Sequence, residues 1–196
     1  SADEVVDLVS TLIRFDTSNT GDPATTKGEA DCAQWVGDRL REVGYTCEYL
    51  EAGAPGRGNL FARLPGADPD RGALLIHGHL DVVPAEPADW SVHPFSGAVK
   101  DGYVWGRGAV DMKDMVGMMI AVARHFKRHG IVPPRDLVFA FVADEEHGGK
   151  YGAHWLVDNR PDLFTGVTEA VGEVGGFSIT LPRRDGGERR MYLIET

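Results

Sequence analysis

The residues of this chain best suited to chemistry are a histidine and a set of carboxylates placed just after β-prone or loop segments: His79 with Asp81, then Asp111, then Glu145 with Glu146, then Glu173. The first pair follows Ala73-Leu74-Leu75-Ile76-His77-Gly78 and is stopped by Pro84, so a buried strand is expected to end by presenting polar side chains at one edge of a sheet. Alternation along that strand puts His77, His79 and Asp81 on one face. A histidine with a carboxylate two residues further on suits a metal ligand steadied by an acid, because imidazole binds through one nitrogen and must be fixed through the other. Each group alone has a plainer reading: a hydrogen-bonded structural histidine, an N-cap at Asp111, solvated glutamates at 145 and 146. Taken together they read differently, because ligands in open α/β sheets sit beyond the carboxyl ends of the strands and groups distant in sequence can meet there. Carboxylates gathered in one dry pocket repel, and one or two divalent cations are the simplest way to make the arrangement tolerable.

Regular elements must carry these residues to one place. Val5, Val6, Leu8, Val9, Leu12 and Ile13 recur at helical spacing and predict a first helix ending near Phe15. Residues 16–26, rich in Thr, Ser, Asn, Gly and Pro, predict a loop, and Ala30, Ala33, Trp35, Val36 and Leu40 a second amphipathic helix closed by Gly44. The period then changes, and residues 46–50, 59–64 and 73–77 predict three strands. Residues 85–107 have no sustained periodicity yet hold Trp90, Phe95, Tyr103 and Trp105, and a loop of that length in a compact domain is more often functional than idle. Met115, Met118, Met119, Val122 and Phe126 predict a helix after Asp111, with the methionines read as core packing. Residues 137–143 form an almost uninterrupted apolar run, the pattern of a strand covered on both faces. A helix over 150–159, a strand over 169–174 and a hairpin pairing 177–181 with 190–194 complete the chain. Strands alternating with helices predict a three-layer α/β/α domain with a mostly parallel sheet.

Bulk properties narrow the functional classes. With 196 residues, 42% hydrophobic and 26% charged, the composition is that of a globular domain with a substantial core. A net charge of -10 with only short basic runs argues against a nucleic-acid partner. Cys32 and Cys47 lack metal-knuckle spacing and set up no disulfide framework, which fits a reducing compartment. No apolar stretch approaches the roughly 18 residues that span a membrane, and no export signal is visible, so a cytoplasmic protein is expected.

Four stretches, in order, carry a resemblance. They are Gly78-His79-Leu80-Asp81-Val82-Val83-Pro84, Gly106-Arg107-Gly108-Ala109-Val110-Asp111-Met112-Lys113-Asp114, Ala143-Asp144-Glu145-Glu146-His147-Gly148-Gly149 and Gly172-Glu173-Val174-Gly175-Gly176. With these the chain resembles the M20 family of metallopeptidases and deacylases. The resemblance implies that Asp111 bridges two zinc ions, that His79 and Glu173 complete the protein ligands of one, and that Glu146 binds the other. It further implies that Asp81 orients His79 and that Glu145 is the general base. Such a bridge holds two ions roughly 3.5–4 Å apart, where they share and acidify a water and polarise the scissile carbonyl, while the base carries the water's proton to the leaving amine. Cobalt or manganese could replace zinc. His77, His93, His125, His129 and His154 are then structural, and His147 is left open.

The resemblance covers the first half of a family member. Members continue with a lid or dimerisation domain and then return to finish the catalytic domain, and their last metal-binding histidine and a transition-state-stabilising histidine lie in those later parts. Residues 1–196 are therefore expected to be the N-terminal part of a metallohydrolase catalytic domain, with an unprotected sheet edge that favours association. Two readings stand. The full-length protein would cleave a peptide or N-acyl amide bond in a small peptide or N-acyl amino acid, acting as an aminoacylase, dipeptidase, carboxypeptidase or biosynthetic deacylase and forming a homodimer through the lid. The 196 residues alone would be a non-catalytic α/β module binding at most one metal weakly.

Overall fold

The computed structural model describes residues 2–173, 178–182 and 186–192. Apolar residues at helical spacing form α1 (Ala2–Arg14), and α2 (Ala30–Arg41) buries Cys32, Ala33, Val36, Gly37 and Leu40 along one stripe. Gly44, at φ +90°, turns the chain out of α2; its N–H donates to the Arg41 carbonyl and the next N–H, of Tyr45, returns to the Leu40 carbonyl. β1 (Cys47–Glu51) and β2 (Gly58–Leu64) follow as an antiparallel pair, then β3 (Ala73–His79).

The aromatic segment 85–107 is not wholly irregular. It contains a small hairpin of β4 (Ala98–Lys100) and β5 (Tyr103–Trp105), turned at Asp101 and Gly102 with both residues at positive φ (55° and 81°). Asp-Gly is a favoured sequence for such a two-residue turn, but strands of three residues are too short to show an alternating pattern. α3 (Lys113–Arg128) leads to β6 (Leu137–Val142), all six residues of which are buried. α4 (Ala153–Asn159) begins later than the sequence predicts, because a Cβ at Gly152 would overlap the Ala143 carbonyl and the chain passes there in a non-helical conformation. β7 (Val167–Val171) and a hairpin of β8 (Ser178–Pro182) with β9 (Glu188–Tyr192) follow. Phe177, Leu193 and Ile194 of the expected hairpin, and Val174 of the expected strand, lie outside the described residues.

The main sheet has the order β1-β2-β6-β3-β7. β3 pairs in parallel with both β6 and β7, whereas β1–β2 and β2–β6 are antiparallel, so the α/β class is as expected and the sheet is mixed. The loop between β1 and β2 is too short for a crossover and returns the chain as a hairpin; parallel pairing needs the longer helical connections found between β3, β6 and β7. α1, α2 and α3 cover one face around Leu12, Val36, Leu60, Ile120, Phe139 and Phe141. The other face gathers Phe61, Val138, Ala140, Val142 and Leu156, with Trp155 and Phe164 packed against them. Alternation of Phe139 and Phe141 against Val138, Ala140 and Val142 makes β6 the shared wall of both cores. The sheet is open, with β1 and β7 as its edges among the described residues. No helix among the described residues is long and apolar enough to cross a membrane.

Candidate metal centre

β3 and β6 run parallel, with His79 beside Val142 in register, so both strands deliver their carboxyl ends to the same edge. The segment after α1 is laced to this edge: Thr17 Oγ1 donates to the Leu80 carbonyl at 2.7 Å, and the Asn19 N–H to the Val82 carbonyl at 2.9 Å. Lys113, fully buried at the start of α3, donates from Nζ to the Phe15 carbonyl at 2.7 Å and so ties the Asp111 segment to the same loop. The Asp111–Met112 peptide bond is cis. Asp111 does not cap α3, whose N-cap residue is Met112 without a side-chain bond.

The structure brings together five of the residues singled out in the sequence. His79 Nε2 lies 2.9 Å from Asp111 Oδ1, 3.5 Å from Glu173 Oε2 and 3.7 Å from Glu145 Oε2. Two trios, His79 with Glu145 and Glu173 and His79 with Asp111 and Glu146, each place one donor atom per residue within 4.8 Å of one another, close enough to share a cation. The side chain of His79 is 1% exposed, against 64% for Asp111 and 48% for Glu145, so the imidazole forms the floor of a cluster whose mouth is open to solvent. Three clefts of the described residues, about 300 Å³ beside Phe61 and Leu163, about 460 Å³ beside Arg14 and Cys32 and about 400 Å³ beside Trp35 and Arg124, hold neither trio.

Asp81 is fully buried behind the histidine. Its Oδ1 accepts the Glu145 N–H at 3.0 Å and its Oδ2 the Glu146 N–H at 3.2 Å, so one carboxylate holds both the histidine side and the glutamate turn. That turn, a single 3-10 turn over Glu145–His147, is entered by Asp144 at φ +64° and left by Gly148 at φ +84°. Asp144 bends the chain so that adjacent glutamates, which would leave a continuing strand on opposite faces, both reach the site.

The electrostatics are those of a place short of positive charge. Burial, followed by the Asp111 carboxylate, pushes the Glu146 carboxyl above its usual range. Burial also raises Glu173, with Asp111 and Glu145 adding to it against the opposing His79. Burial alone would keep His79 neutral, but Asp81 and Glu173 outweigh it and raise the imidazole to about 10. Burial would likewise raise Asp81, yet hydrogen bonds from His79 and Asn19 hold it below the carboxylate range. Three or more oxygen and nitrogen donors around one small volume, with carboxylates crowding each other, form a donor set that a divalent ion such as zinc fits.

His77 does not join the cluster; its ring packs against Gly172, where a Cβ would overlap it. His147 is exposed and lies beside Gly21, which leaves it at the rim. Four buried residues at the site had no signal in spacing: Asn19, Glu29, Arg57 and Asp144. Arg57 donates Nε and Nη2 to the two oxygens of Glu29 at 3.0 and 2.9 Å and reaches Asp144 Oδ1 at 2.9 Å, while Asn19 spans Asp144 and Asp81. Only Asp144 stood within a motif singled out in the sequence, and its positive φ is a feature the sequence does not display.

The chain is similar to several known proteins. A succinyl-diaminopimelate desuccinylase of Methylorubrum populi is 39% identical over 141 residues, 69% of this chain and 36% of that protein. A protein of the same name from Delftia acidovorans is 35% identical over 139 residues, again 69% of this chain and 36% of the other. The chain thus spans little more than a third of the length of these curated relatives. Human carnosine dipeptidase 1 superposes with a TM-score of 0.73 at 25% identity, over 87% of this chain and 38% of that one. The di-peptidase Dug1p of Saccharomyces cerevisiae shares the fold, with a TM-score of 0.73 at 21% identity over 91% of this chain and 42% of that one. The pattern that defines peptidase family M20/M25/M40 matches residues 75–182, which hold His79, Asp81, Asp111, Glu145, Glu146 and Glu173. Matched over more than half its residues, the chain belongs to peptidase family M20/M25/M40.

Proposed function

We propose that this chain is the first part of the catalytic domain of a metal-dependent hydrolase acting on a peptide or N-acyl amide bond, with N-acyl amino acids as its substrate class. The observation that carries the reading is the convergence of His79, Asp111, Glu145, Glu146 and Glu173 within the two trios. The desuccinylase relatives, more similar in sequence than the dipeptidase structures, favour an N-acyl over a dipeptide substrate. His79, Asp111, Glu146 and Glu173 would hold the metal, zinc in this proposal, with Asp111 shared between two ions in the complete protein. Divalent ions bound there would acidify a water and polarise the amide carbonyl.

The chain's own residues then divide the remaining work. Asp81 fixes the His79 ring and anchors the glutamate turn. Glu145, half exposed at the mouth, would accept a proton from the attacking water and return it to the leaving amine. Assaying the full-length protein against N-succinyl and N-acetyl amino acids and against dipeptides, with and without chelator, tests this. Chelator should abolish turnover and zinc restore it; chelator-insensitive hydrolysis would contradict the reading.

A second reading concerns the 196 residues by themselves. Both trios depend on the same imidazole, so among the described residues they are alternative seats for one ion. On that ground the isolated chain is a non-catalytic module taking up one zinc equivalent weakly. A titration that fills two tight sites would overturn it.

A further inference from the structure

Asn19 sits in the polar loop after α1 and is fully buried. Its Nδ2 donates to Asp81 Oδ2 at 2.8 Å and to Asp144 Oδ1 at 2.9 Å. Its Oδ1 accepts the Gly21 N–H at 3.1 Å and the Thr26 hydroxyl at 3.3 Å. A carboxamide has two donor hydrogens and two acceptor lone pairs, and here all four are used. No other side chain of this size joins two carboxylates on one side to two donors on the other. Aspartate, its isostere, would set a third carboxylate against Asp81 and Asp144 and supply no donor, and an apolar side chain would leave both acids short of a partner.

The Asp81 carboxylate is the point where this matters. It carries the N–H groups of Glu145 and Glu146, and Asp81 faces His79 Nδ1. Asp144, held by Asn19 on the other side, enters the same glutamate turn and accepts the Tyr151 N–H at 3.0 Å as the chain leaves it. Asn19 thus hydrogen-bonds to none of the metal-donor residues and yet binds both acids that fix where those donors stand.

We infer that Asn19 is a positioning residue of the metal centre: it sets the Asp81 carboxylate, and through it the Glu145–Glu146 turn, against His79. The inference rests on the metal-centre reading, and two measurements on the 196-residue chain separate the two. In the metal-free chain, Asn19→Asp should speed amide hydrogen exchange at Glu145 and Glu146 about tenfold, the effect of losing one hydrogen bond, while the amides of Phe139 and Phe141 in β6 keep their protection. In a zinc titration, Asn19→Asp should bind about 10- to 100-fold more weakly than wild type, as expected when a group supporting a ligand is lost. Thr26→Val, which disturbs the acceptor side only, should stay near wild type in both. Should Asn19→Asp fail to fold, Asn19→Ser, which can still donate to one acid, is held to the same two measurements with the same signs.

Exchange that rises equally in β6 shows a role in general stability and overturns the inference, as does wild-type zinc affinity in the variant. A wild-type chain that takes up no zinc overturns the metal-centre reading, and the positioning role falls with it whatever Asn19 does.

Discussion

His79 Nδ1 lies 2.9 Å from the backbone carbonyl of Asp81, nearer than the 3.5 Å that separates it from the carboxylate of the same residue. A carbonyl only accepts, so Nδ1 carries a proton, and Nε2, turned to Asp111, Glu145 and Glu173, is the nitrogen that a bound metal would take in place of its proton. The backbone carbonyl therefore orients the ring, and the carboxylate, 3.5 Å from the same nitrogen, adds its charge there while holding the glutamate turn.

Asp81→Asn separates these two jobs. It keeps the carbonyl but replaces one acceptor oxygen by an N–H₂ group, which then faces a donor from Glu146 or Asn19 or from Glu145. Zinc affinity should fall about 10- to 100-fold while nitrogen NMR of the zinc-loaded chain still finds the proton on Nδ1 of His79. Zinc held by Nδ1 in the variant, with the proton on Nε2, would show that the carboxylate, and not the carbonyl, governs the ring.

Glu145 stands in one donor trio with His79 and Glu173, yet its side chain is 48% exposed and its backbone N–H is the part that is anchored. A residue that must approach substrate and shuttle a proton needs this freedom. Glu145→Gln and Glu145→Ala should leave the zinc affinity of the chain within about twofold, while turnover by the full-length protein drops about 10²- to 10⁴-fold in both, the usual contribution of a general base. A large affinity loss in the alanine variant would move Glu145 from the base to the ligands.

Arg57 is 7% exposed and neutralises Glu29 and Asp144 together, with Glu29 gripped through two parallel hydrogen bonds. Removing the cation takes from buried Glu29 both of its hydrogen bonds to Arg57 and leaves Asp144 with Asn19 and the Tyr151 N–H but no counter-charge, which is far worse than deleting a surface ion pair. Arg57→Met should lower the unfolding free energy of the metal-free chain by about 3–5 kcal/mol in urea denaturation. A loss below about 1 kcal/mol, the range of exposed pairs, would mean that water reaches this network.

How far sequence reaches into this molecule follows from the range of the forces involved. Helical spacing in α1 and the apolar run of β6 are visible in a window of a dozen residues, because burial on one face or on both leaves a local periodic trace. His79, Asp111, Glu145, Glu146 and Glu173 are visible for a related reason: each stands next to a glycine-bearing turn just past a β-prone or loop segment. Asn19 is not, since its partners Asp81 and Asp144 lie 62 and 125 residues away and nothing in a Ser-Asn-Thr loop announces them. Arg57 and Glu29 are hidden likewise, two charged residues in what reads as turn and helix start, fully or almost fully buried only because they meet each other. The mixed sheet was likewise beyond a strand-by-strand reading, because the antiparallel placement of β2 beside β6 joins residues 60 and 141 without any local mark.

The alkaline limit of stability should be set in the α2–α3 core. Burial pushes the Cys32 thiol from 9.0 up to about 11, and burial with the neighbouring Cys47 pushes the Tyr45 hydroxyl, which donates to the Ala123 carbonyl at 2.9 Å, from 10.0 up to about 12. Both are acids whose neutral form the fold prefers, so the folded chain holds the proton where the unfolded chain has lost it. Their contribution is complete below pH 9, erodes first through Cys32 as pH climbs from 9.0 to about 11, and then through Tyr45 from 10.0 to about 12. Lys113 acts in the opposite sense: burial lowers its pKa, the unfolded chain keeps that proton longer, and the fold gains as pH approaches 10.5. The acids are therefore read by difference. Urea unfolding of the metal-free chain across this range should show a smaller loss in Cys32→Ala between pH 9 and 11 and in Tyr45→Phe between pH 10 and 12 than in wild type. Parallel curves for wild type and Cys32→Ala would mean that the thiol meets solvent in the folded chain, and so that α2 does not seal this core.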